Sequence, residues 1–306
     1  MPRPRLILIA GPTASGKTSL AIDLARRLGG EIVPADSQQG DRGLDVGTAT
    51  PTAEERAAAP HHLLDVVDPG EGMDASRFVA LADAAIAGIQ ARGRVPIVAG
   101  GTGLYVRALL HGVAAAPGRD PALRATLEAE AARDGRPALH ARLAAVDPGA
   151  AARIGPNDLV RIVRALEIAA AGRTQSEVFA EHRFAEARYP ARLLALDPPR
   201  EVLHARIASR VARMFDGGLL AEAEALRARF GEALPAKLPI GYAEAAALLA
   251  GALDRAEAVR RVEVAHRRYA RRQVIWLRRE RDVAWLAPPF DAAALAKALG
   301  EWQSGS

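Results

Sequence analysis

The stretch Arg5–Thr18, RLILIAGPTASGKT, decides the fold. Its first part, Arg5–Ala10, is almost continuously apolar, which predicts a strand buried on both faces, as in a parallel sheet. After the glycine-containing turn, apolar residues recur with the spacing of one helix face, so Lys17–Leu28 is predicted to be a helix. A strand, a turn and a helix in this order begin a right-handed βαβ unit.

The turn, Gly11–Thr18, matches the phosphate-binding pattern G-x-x-x-x-G-K-[ST] in full. Its glycines let the backbone wrap around a phosphate, and the amides at the start of the helix face the anion. Lys17 adds a positive charge, and the Thr18 hydroxyl is a candidate ligand of Mg²⁺. The pattern predicts a polyphosphate site without distinguishing ATP from another pyrophosphate. The predicted pyrophosphate-binding residues are Gly11, Pro12, Thr13, Ala14, Ser15, Gly16, Lys17 and Thr18.

Further short apolar segments predict more strands, whereas one long central stretch is purely helical in pattern. The strand candidates are Glu31–Ala35, Val95–Ala99, Leu193–Leu196 and Val283–Leu286. We predict an α/β fold, with a P-loop NTPase-like parallel sheet flanked by helices and an inserted all-helical domain. The core comprises residues 1–114 and 196–306 with C-terminal helices, and residues 115–195 form the insertion. The final Gln-Ser-Gly-Ser is predicted to be a polar tail.

Composition narrows the class of protein. The chain has 306 residues, half of them hydrophobic, and no cysteine, which excludes disulfides, thiolate zinc sites and cysteine nucleophiles. No apolar segment approaches the roughly 18 residues needed to span a bilayer, so we expect a cytoplasmic protein without membrane contact. The net charge of +5 permits a polyanionic partner. Only three of the 41 basic residues are Lys, so Arg richness by itself is weak support for RNA binding.

A series of short motifs follows the phosphate loop in a fixed order. They are Asp36–Gln39, Arg42–Ala49 with Pro51, Pro60–Pro69, Gly100–Tyr105, Arg153–Ile154, Pro156–Asp158, Arg161–Ile162, Arg164–Glu167, Ile240–Tyr242, Tyr269–Gln273 and Trp276–Leu277. Together they resemble the bacterial tRNA dimethylallyltransferase (tRNA isopentenyltransferase) family, from about residue 6 to residue 286. The resemblance implies a P-loop core with an inserted helical domain. It also implies Mg²⁺-dependent transfer of dimethylallyl from dimethylallyl pyrophosphate to N6 of the adenosine 3′ of the tRNA anticodon, position 37, with release of pyrophosphate.

The chemistry of this transfer assigns roles to four candidate catalytic residues. An exocyclic adenine amine is a poor nucleophile and needs a base, for which Asp36 is the candidate, as the matching Asp is in the family. Negative charge grows on the leaving pyrophosphate, so Lys17 and Arg210, which matches a family arginine, would stabilise it. Thr102, in a glycine-flanked turn, would hydrogen-bond the reacting region.

The target base must leave the anticodon loop before it can react, so loop shape and splayed bases are the expected recognition features of the anticodon stem-loop. The span Arg260–Arg281 holds nine Arg and two acids, and predicts a basic helix face. Val262, Tyr269 and Trp276, spaced by seven, are expected to pack inward. The resemblance implies tRNA contacts at Ser37, Gln38, Gln39, Thr102, Arg124, Arg161, Gly241, Tyr242, Arg271, Arg272, Gln273 and Arg278. We expect a monomer.

The sequence departs from the family's pattern at four places. Gly40 and Asp41 replace the usual Val-Tyr, Thr50 replaces Lys, Gly155 replaces His and His266 replaces Thr. The phosphate loop and the four candidate catalytic residues are intact.

Three other functions stay open. A prenyltransferase acting on free adenine nucleotides would share the core but lack the helical insertion and the basic span. A small-molecule kinase would transfer phosphate from ATP without RNA. A tRNA-binding protein that has lost catalysis is suggested by the altered residues Gly40, Asp41 and Gly155. The adjacent His61 and His62 point apart in regular structure and are predicted to be structural rather than metal ligands.

Overall fold

The computed structural model describes residues 3–183, 187–231, 234–235 and 238–305. Within these residues a five-stranded, all-parallel sheet has the order β2-β3-β1-β4-β5. Its strands are β1 Leu6–Ala10, β2 Gly30–Pro34, β3 Val95–Gly100, β4 Ala191–Leu196 and β5 Val283–Leu286. The predicted α/β class is confirmed, and each predicted strand lies within two residues of its expected bounds.

Strand β1 is central and fully buried, which explains its continuous run of aliphatic side chains. In the parallel register, Leu8 pairs with Val98 on one side and with Leu193 on the other. Because the strands are parallel, the carboxyl ends of β1, β2 and β3 meet at one edge of the sheet. Ligands bind at this edge in open α/β sheets.

Five helices precede the helical lobe and flank the first three strands. They are α1 Lys17–Leu28, α2 Asp45–Thr48, α3 Ala53–Ala58, α4 Ala75–Ala91 and α5 Gly103–His111. Helix α1 has the predicted bounds, and it ends at Gly29, whose left-handed φ of 62° lets its amide bond the Ala25 carbonyl. The buried face of α1 packs against the sheet with Leu20, Ala21 and Leu24.

The described residues divide into two compact units, residues 1–110 with 188–306 and residues 111–187. The second unit is the predicted helical lobe, with helices α6 Pro121–Asp134, α7 Arg136–Val146, α8 Pro148–Arg153, α9 Leu159–Ala170 and α10 Gln175–His182. Its own apolar cluster includes Leu127, Leu143 and Ile162.

The predicted bounds of the lobe, 115–195, are too late in the chain. Residues 191–196 form β4, which pairs with β1 along its whole length and therefore belongs to the sheet. The Arg188 amide already donates to the Leu110 carbonyl at 2.6 Å, so the chain leaves and rejoins the first unit at neighbouring points.

The chain after β4 is mainly helical, with α11 Arg200–Asp216, α12 Leu219–Phe230, α13 Tyr242–Leu249, α14 Arg255–Leu277 and α15 Ala292–Ser304. Helix α15 corrects the expected polar tail, since Gln303 and Ser304 are helical. Asp291 caps its first turn, and Ala296 and Leu299 are buried in the same cluster as α1. No helix in the described part of the chain is long and apolar enough to cross a membrane.

Candidate active site

The phosphate loop joins β1 to α1 in a geometry suited to an anion. Gly16, at φ 99°, sets the turn into α1 and offers no side chain to cap the first amides of the helix. The Lys17 ammonium donates to the Pro12 carbonyl at 2.8 Å, which holds it across the loop. Free amides at the start of the helix and a fixed ammonium together form a site for a phosphate group.

Asp36 follows β2 and faces Lys17 across the same cavity. Burial raises the pKa of Asp36 above its usual range, while the hydrogen bond from the Gln38 amide, at 3.0 Å, and the charges of Lys17 and Arg210 favour its ionised form. Burial lowers the pKa of Lys17 to about 8, against the opposing effect of Asp36. Both groups are thereby moved toward neutrality, as is common at functional sites.

Thr102 follows β3 and lies beside Asp36 through its contact with Ser37. The Thr102 hydroxyl accepts from the Ser37 amide at 2.9 Å and donates to the Ser37 hydroxyl at 3.2 Å. Gly100 is required here, because a Cβ would lie 2.1 Å from the Ala35 carbonyl oxygen. The close approach of the two strand ends thus brings Thr102 to the site.

Helix α11 contributes two arginines that bond the phosphate loop. The Arg210 guanidinium donates to the Thr13 hydroxyl at 3.2 Å, and Arg206 donates to the Ser15 carbonyl at 3.3 Å. Burial lowers the pKa of Arg210, while the charge of Asp36 raises it. The predicted pair Lys17 and Arg210 is therefore brought together around the phosphate loop.

These groups surround a cavity of about 690 Å³ in the first unit. Its lining includes Thr13–Ser19, Asp36, Gln38, Gln39, Arg210 and residues of the segment Asp45–Arg56. The lining thus contains three of the four predicted catalytic residues. Thr102 is not part of it and bonds Ser37, the neighbour of Asp36 in the chain. The lining by Asp45–Arg56 was not predicted, because nothing in that segment's spacing indicates that it folds over the phosphate loop.

Several predicted RNA contacts are accessible. Ser37 is exposed, and Gln38 and Gln39 line the cavity. Arg271 and Arg272 lie on the exposed face of α14, where Arg272 stacks over the Tyr269 ring at 5.5 Å, and Arg278 is exposed directly after the helix. The predicted basic helix face is therefore present.

In the lobe, the two predicted RNA contacts differ in their surroundings. Arg124 makes a bidentate pair with Glu167, at 3.0 and 2.7 Å, and this carboxylate is fully buried. The Arg124 guanidinium compensates the buried negative charge of Glu167. Loss of the pair would leave that charge buried without a partner, which strongly destabilises a fold. The Arg161 side chain is 70% exposed and is therefore accessible to a partner, although its guanidinium lies 3.4 Å from the Asp158 carboxylate.

Gln273, a predicted RNA contact, is buried and makes hydrogen bonds within the protein. Its side chain is 4% exposed, accepts from the Thr13 amide at 2.7 Å and donates to the Gly101 carbonyl at 3.1 Å. A Cβ on Gly101 would lie 2.0 Å from the Gln273 amide nitrogen. Gln273 thus ties α14 to the phosphate loop and to the turn after β3.

Tyr242 is likewise buried, as is the adjacent Gly241 at the start of α13, so neither residue offers surface to RNA. The Tyr242 hydroxyl donates to Glu222 at 2.7 Å. The same carboxylate accepts from the amides of Asp45, Val46 and Gly47 at 2.8 to 3.2 Å. The network fixes the start of α2, which lies in the cavity wall.

Sequence reasoning missed two side chains of α14 that line the cavity, His266 and Tyr269. The expected inward stripe was only partly right, since Val262 is buried but Tyr269 and Trp276 are half-buried. The buried residues of α14 are Ala258, Val262, His266, Ala270, Gln273 and Leu277. The helical spacing of His266 from Val262 and Ala270 was the available signal.

His61 and His62 bond the Ala59 carbonyl and Glu31, respectively, in agreement with the predicted structural role.

Comparison with known proteins reveals similarity over nearly the whole chain. The family model described as IPP transferase matches residues 42–280, and the model described as isopentenyl transferase matches residues 4–68. The tRNA dimethylallyltransferase of Anaeromyxobacter dehalogenans (strain 2CP-C) is 79% identical over 96% of this chain and 98% of its own length. That of Myxococcus xanthus is 52% identical over 95% of each chain.

Solved structures are similar in fold as well. The tRNA isopentenylpyrophosphate transferase of Bacillus halodurans has a TM-score of 0.71 at 38% identity, over 99% of this chain and 96% of its own. A eukaryotic dimethylallyltransferase described as acting on tRNA has a TM-score of 0.80 at 27% identity, over 99% of this chain and 80% of its own.

Proposed function

This chain belongs to the IPP transferase family, and we propose on that premise that it transfers dimethylallyl from dimethylallyl pyrophosphate to tRNA. The acceptor is N6 of the adenosine 3′ of the anticodon, position 37, and pyrophosphate is released. The observation that carries the proposal is one cavity lined by the phosphate loop, the cations Lys17 and Arg210 and the Asp36 carboxylate. We propose that the protein acts in the cytoplasm.

Asp36 acts as the base. The adenine amine attacks C1 of the donor, the C–O bond to pyrophosphate breaks, and the amine proton passes to the Asp36 carboxylate. The raised pKa of Asp36 supports this role, because a base accepts a proton best when its pKa approaches the working pH. Ser37 and Thr102, bonded to each other beside Asp36, offer hydroxyls to the acceptor base.

Lys17 and Arg210 stabilise the leaving group. Negative charge develops on pyrophosphate as the C–O bond breaks, and cations held in place by the Pro12 carbonyl and the Thr13 hydroxyl need no reorganisation to meet it. With a pKa of about 8, Lys17 is largely protonated at pH 7. The free amides of the loop add further donors on the same side.

We propose Mg²⁺ as the metal that acts in this cavity. Thr18 directly follows Lys17 in the wall, so its hydroxyl would offer an oxygen ligand beside the phosphates. Mg²⁺ takes few protein ligands and completes its shell with phosphate oxygens and water. The ion would supply positive charge to the pyrophosphate.

The anticodon stem-loop is the proposed RNA partner. The exposed arginines of α14 supply backbone contacts, and Arg161 supplies another on the lobe. Gln38 and Gln39, in the cavity wall, can hydrogen-bond the edges of a base that has left the loop.

A transfer assay tests the function. Purified protein is mixed with Mg²⁺, radiolabelled dimethylallyl pyrophosphate and unmodified tRNA with adenosine at position 37, with AMP in parallel. Asp36→Asn is the test variant, and Asp23→Asn, an ion-paired surface aspartate of α1, is the matched control. We expect label in tRNA but not in AMP, at position 37 after nuclease digestion. The label should fall about 10²- to 10⁴-fold in Asp36→Asn and stay unchanged in Asp23→Asn.

Other outcomes would favour the alternatives. Label in AMP would identify a nucleotide prenyltransferase, and transfer of labelled phosphate from ATP would identify a kinase. Retention of tRNA on a filter without any transfer would identify a binding protein and would point to the altered residues Gly40 and Asp41.

A further inference from the structure

One buried polar side chain in the cavity wall has no use in the chemistry above. His266, on α14, is 4% exposed, and neither ring nitrogen has a hydrogen-bond partner among the described residues. His266 is nevertheless one of the residues that line the cavity. Leaving a buried polar group unpaired costs about 1–3 kcal/mol, so an unpaired imidazole in a cavity wall points to a ligand.

The neighbours of His266 indicate the chemistry of that ligand. Burial, followed by the nearby Arg210 guanidinium, lowers the pKa of His266 to about 4. The ring is therefore neutral at pH 7, with one N–H donor and one acceptor nitrogen. Arg210 itself donates to the Thr13 hydroxyl and forms no ion pair with a carboxylate in the described part of the chain.

We propose that His266 is a further ligand of the donor's pyrophosphate, and that its ring N–H donates a hydrogen bond to a pyrophosphate oxygen beside Arg210. The inference rests on the proposed function and deepens it, because it names a group that holds the leaving group. An anion satisfies the N–H of the imidazole and the guanidinium at once. A hydrocarbon chain in the same place would leave both ring nitrogens unpaired.

A neutral donor at this position differs from a third cation. It adds a directed bond to the leaving group without adding positive charge next to Lys17 and Arg210. Burial and the charge of Arg210 already lower the pKa of Lys17, and burial and the charge of Arg213 lower the pKa of Arg210. The bond strengthens as charge develops on the departing oxygen, so His266 contributes to release as well as to binding.

Inorganic pyrophosphate with Mg²⁺ is the probe, measured by titration calorimetry. His266→Leu has similar size but no polar atom, and we expect it to weaken pyrophosphate binding about tenfold, or about 1.4 kcal/mol. His266→Asn and His266→Gln carry an N–H near the ring Nδ1 and Nε2 positions, respectively. One of the two should keep its affinity within about threefold of wild type, which identifies the donating nitrogen. Thermal denaturation checks that each variant folds.

A second readout uses ¹⁵N-histidine labelling of the wild-type protein. Pyrophosphate should shift the His266 ring nitrogens, assigned by their absence in His266→Gln, and leave the other six histidines as internal references. Equal pyrophosphate affinity in His266→Leu without a shift of His266 would overturn the inference. A shift that needs the complete dimethylallyl donor would place the ring against the hydrocarbon and would also overturn it. Because no transfer is measured, a pyrophosphate response without labelled tRNA would count against the proposed function alone.

Discussion

Gln273→Met should loosen the link between α14 and the phosphate loop at almost constant side-chain volume. The wild-type amide holds the Thr13 N–H at 2.7 Å and the Gly101 carbonyl at 3.1 Å. Met removes both bonds and offers no replacement. Gly101 is buried, so its carbonyl loses its partner outright, whereas Thr13 lines the cavity, where water can reach its amide.

The size of the effect follows from these two environments. A buried group left unpaired costs about 1–3 kcal/mol, and the wetter amide should cost the lower end of that range. We therefore expect a loss of about 2–4 kcal/mol in the free energy of unfolding. At about 2 °C per kcal/mol for a chain of this length, the melting temperature should fall by about 4–8 °C.

The assay is thermal denaturation with and without saturating pyrophosphate. Gln273→Met should also show a smaller stabilisation by pyrophosphate, because the loop that binds it is no longer held from behind. The matched control is Arg268→Met, an exposed residue of the same helix that should change the stability by no more than about 0.5 kcal/mol. If Gln273→Met has the melting temperature of the wild type and is stabilised as much by pyrophosphate, the Gln273 side chain does not hold the loop and the reasoning fails.

Three further predictions concern charge and packing. Pyrophosphate binding should weaken as the pH rises through about 8, where Lys17 loses its proton, and Lys17→Met should abolish this dependence in calorimetry. Without ligand, the contribution of Lys17 to the free energy of unfolding should rise with pH between about pH 8, its pKa in the folded protein, and its higher pKa in the unfolded chain. Over this range the unfolded chain binds more protons than the folded protein. Gly47→Ala should lower the free energy of unfolding by about 1–3 kcal/mol, since its Cβ would lie 2.5 Å from the Tyr242 ring, whereas Gly118→Ala, with open space around it, should not. Arg271→Gln should reduce the slope of log affinity for tRNA against log salt by about 0.7–0.9, and an unchanged slope in filter binding would exclude a phosphate contact there.

Local patterns predicted the parts of the fold that depend on neighbouring residues. The bounds of α1 and the phosphate loop followed from apolar spacing and glycine chemistry within residues 5–28. The end of the lobe was placed inside the strand candidate Leu193–Leu196, because only the pairing with β1 shows that β4 begins at Ala191. Helix α15 was missed because its burial depends on α1.

The site shows the same division between local and distant information. Lys17, Asp36 and Arg210 could be named from motifs, and the structure brings them together. The structural positions of Gln273 and Tyr242 depend on partners that lie far away along the chain, Thr13 and Glu222. No spacing rule indicates such partners. The helical spacing could have placed His266 on the inner face of α14, but it could not have predicted that His266 lines the cavity.

The hydrogen bond between Arg188 and Leu110 has an evolutionary consequence. Residues 111–187 form a module that begins and ends at a single joint, and none of the five strands lies within it. Joining two points already in contact by a short loop costs little chain entropy. Recombination at this joint could therefore exchange or shorten the module while every strand pairing persists, which allows the lobe and the phosphate chemistry to evolve at separate rates.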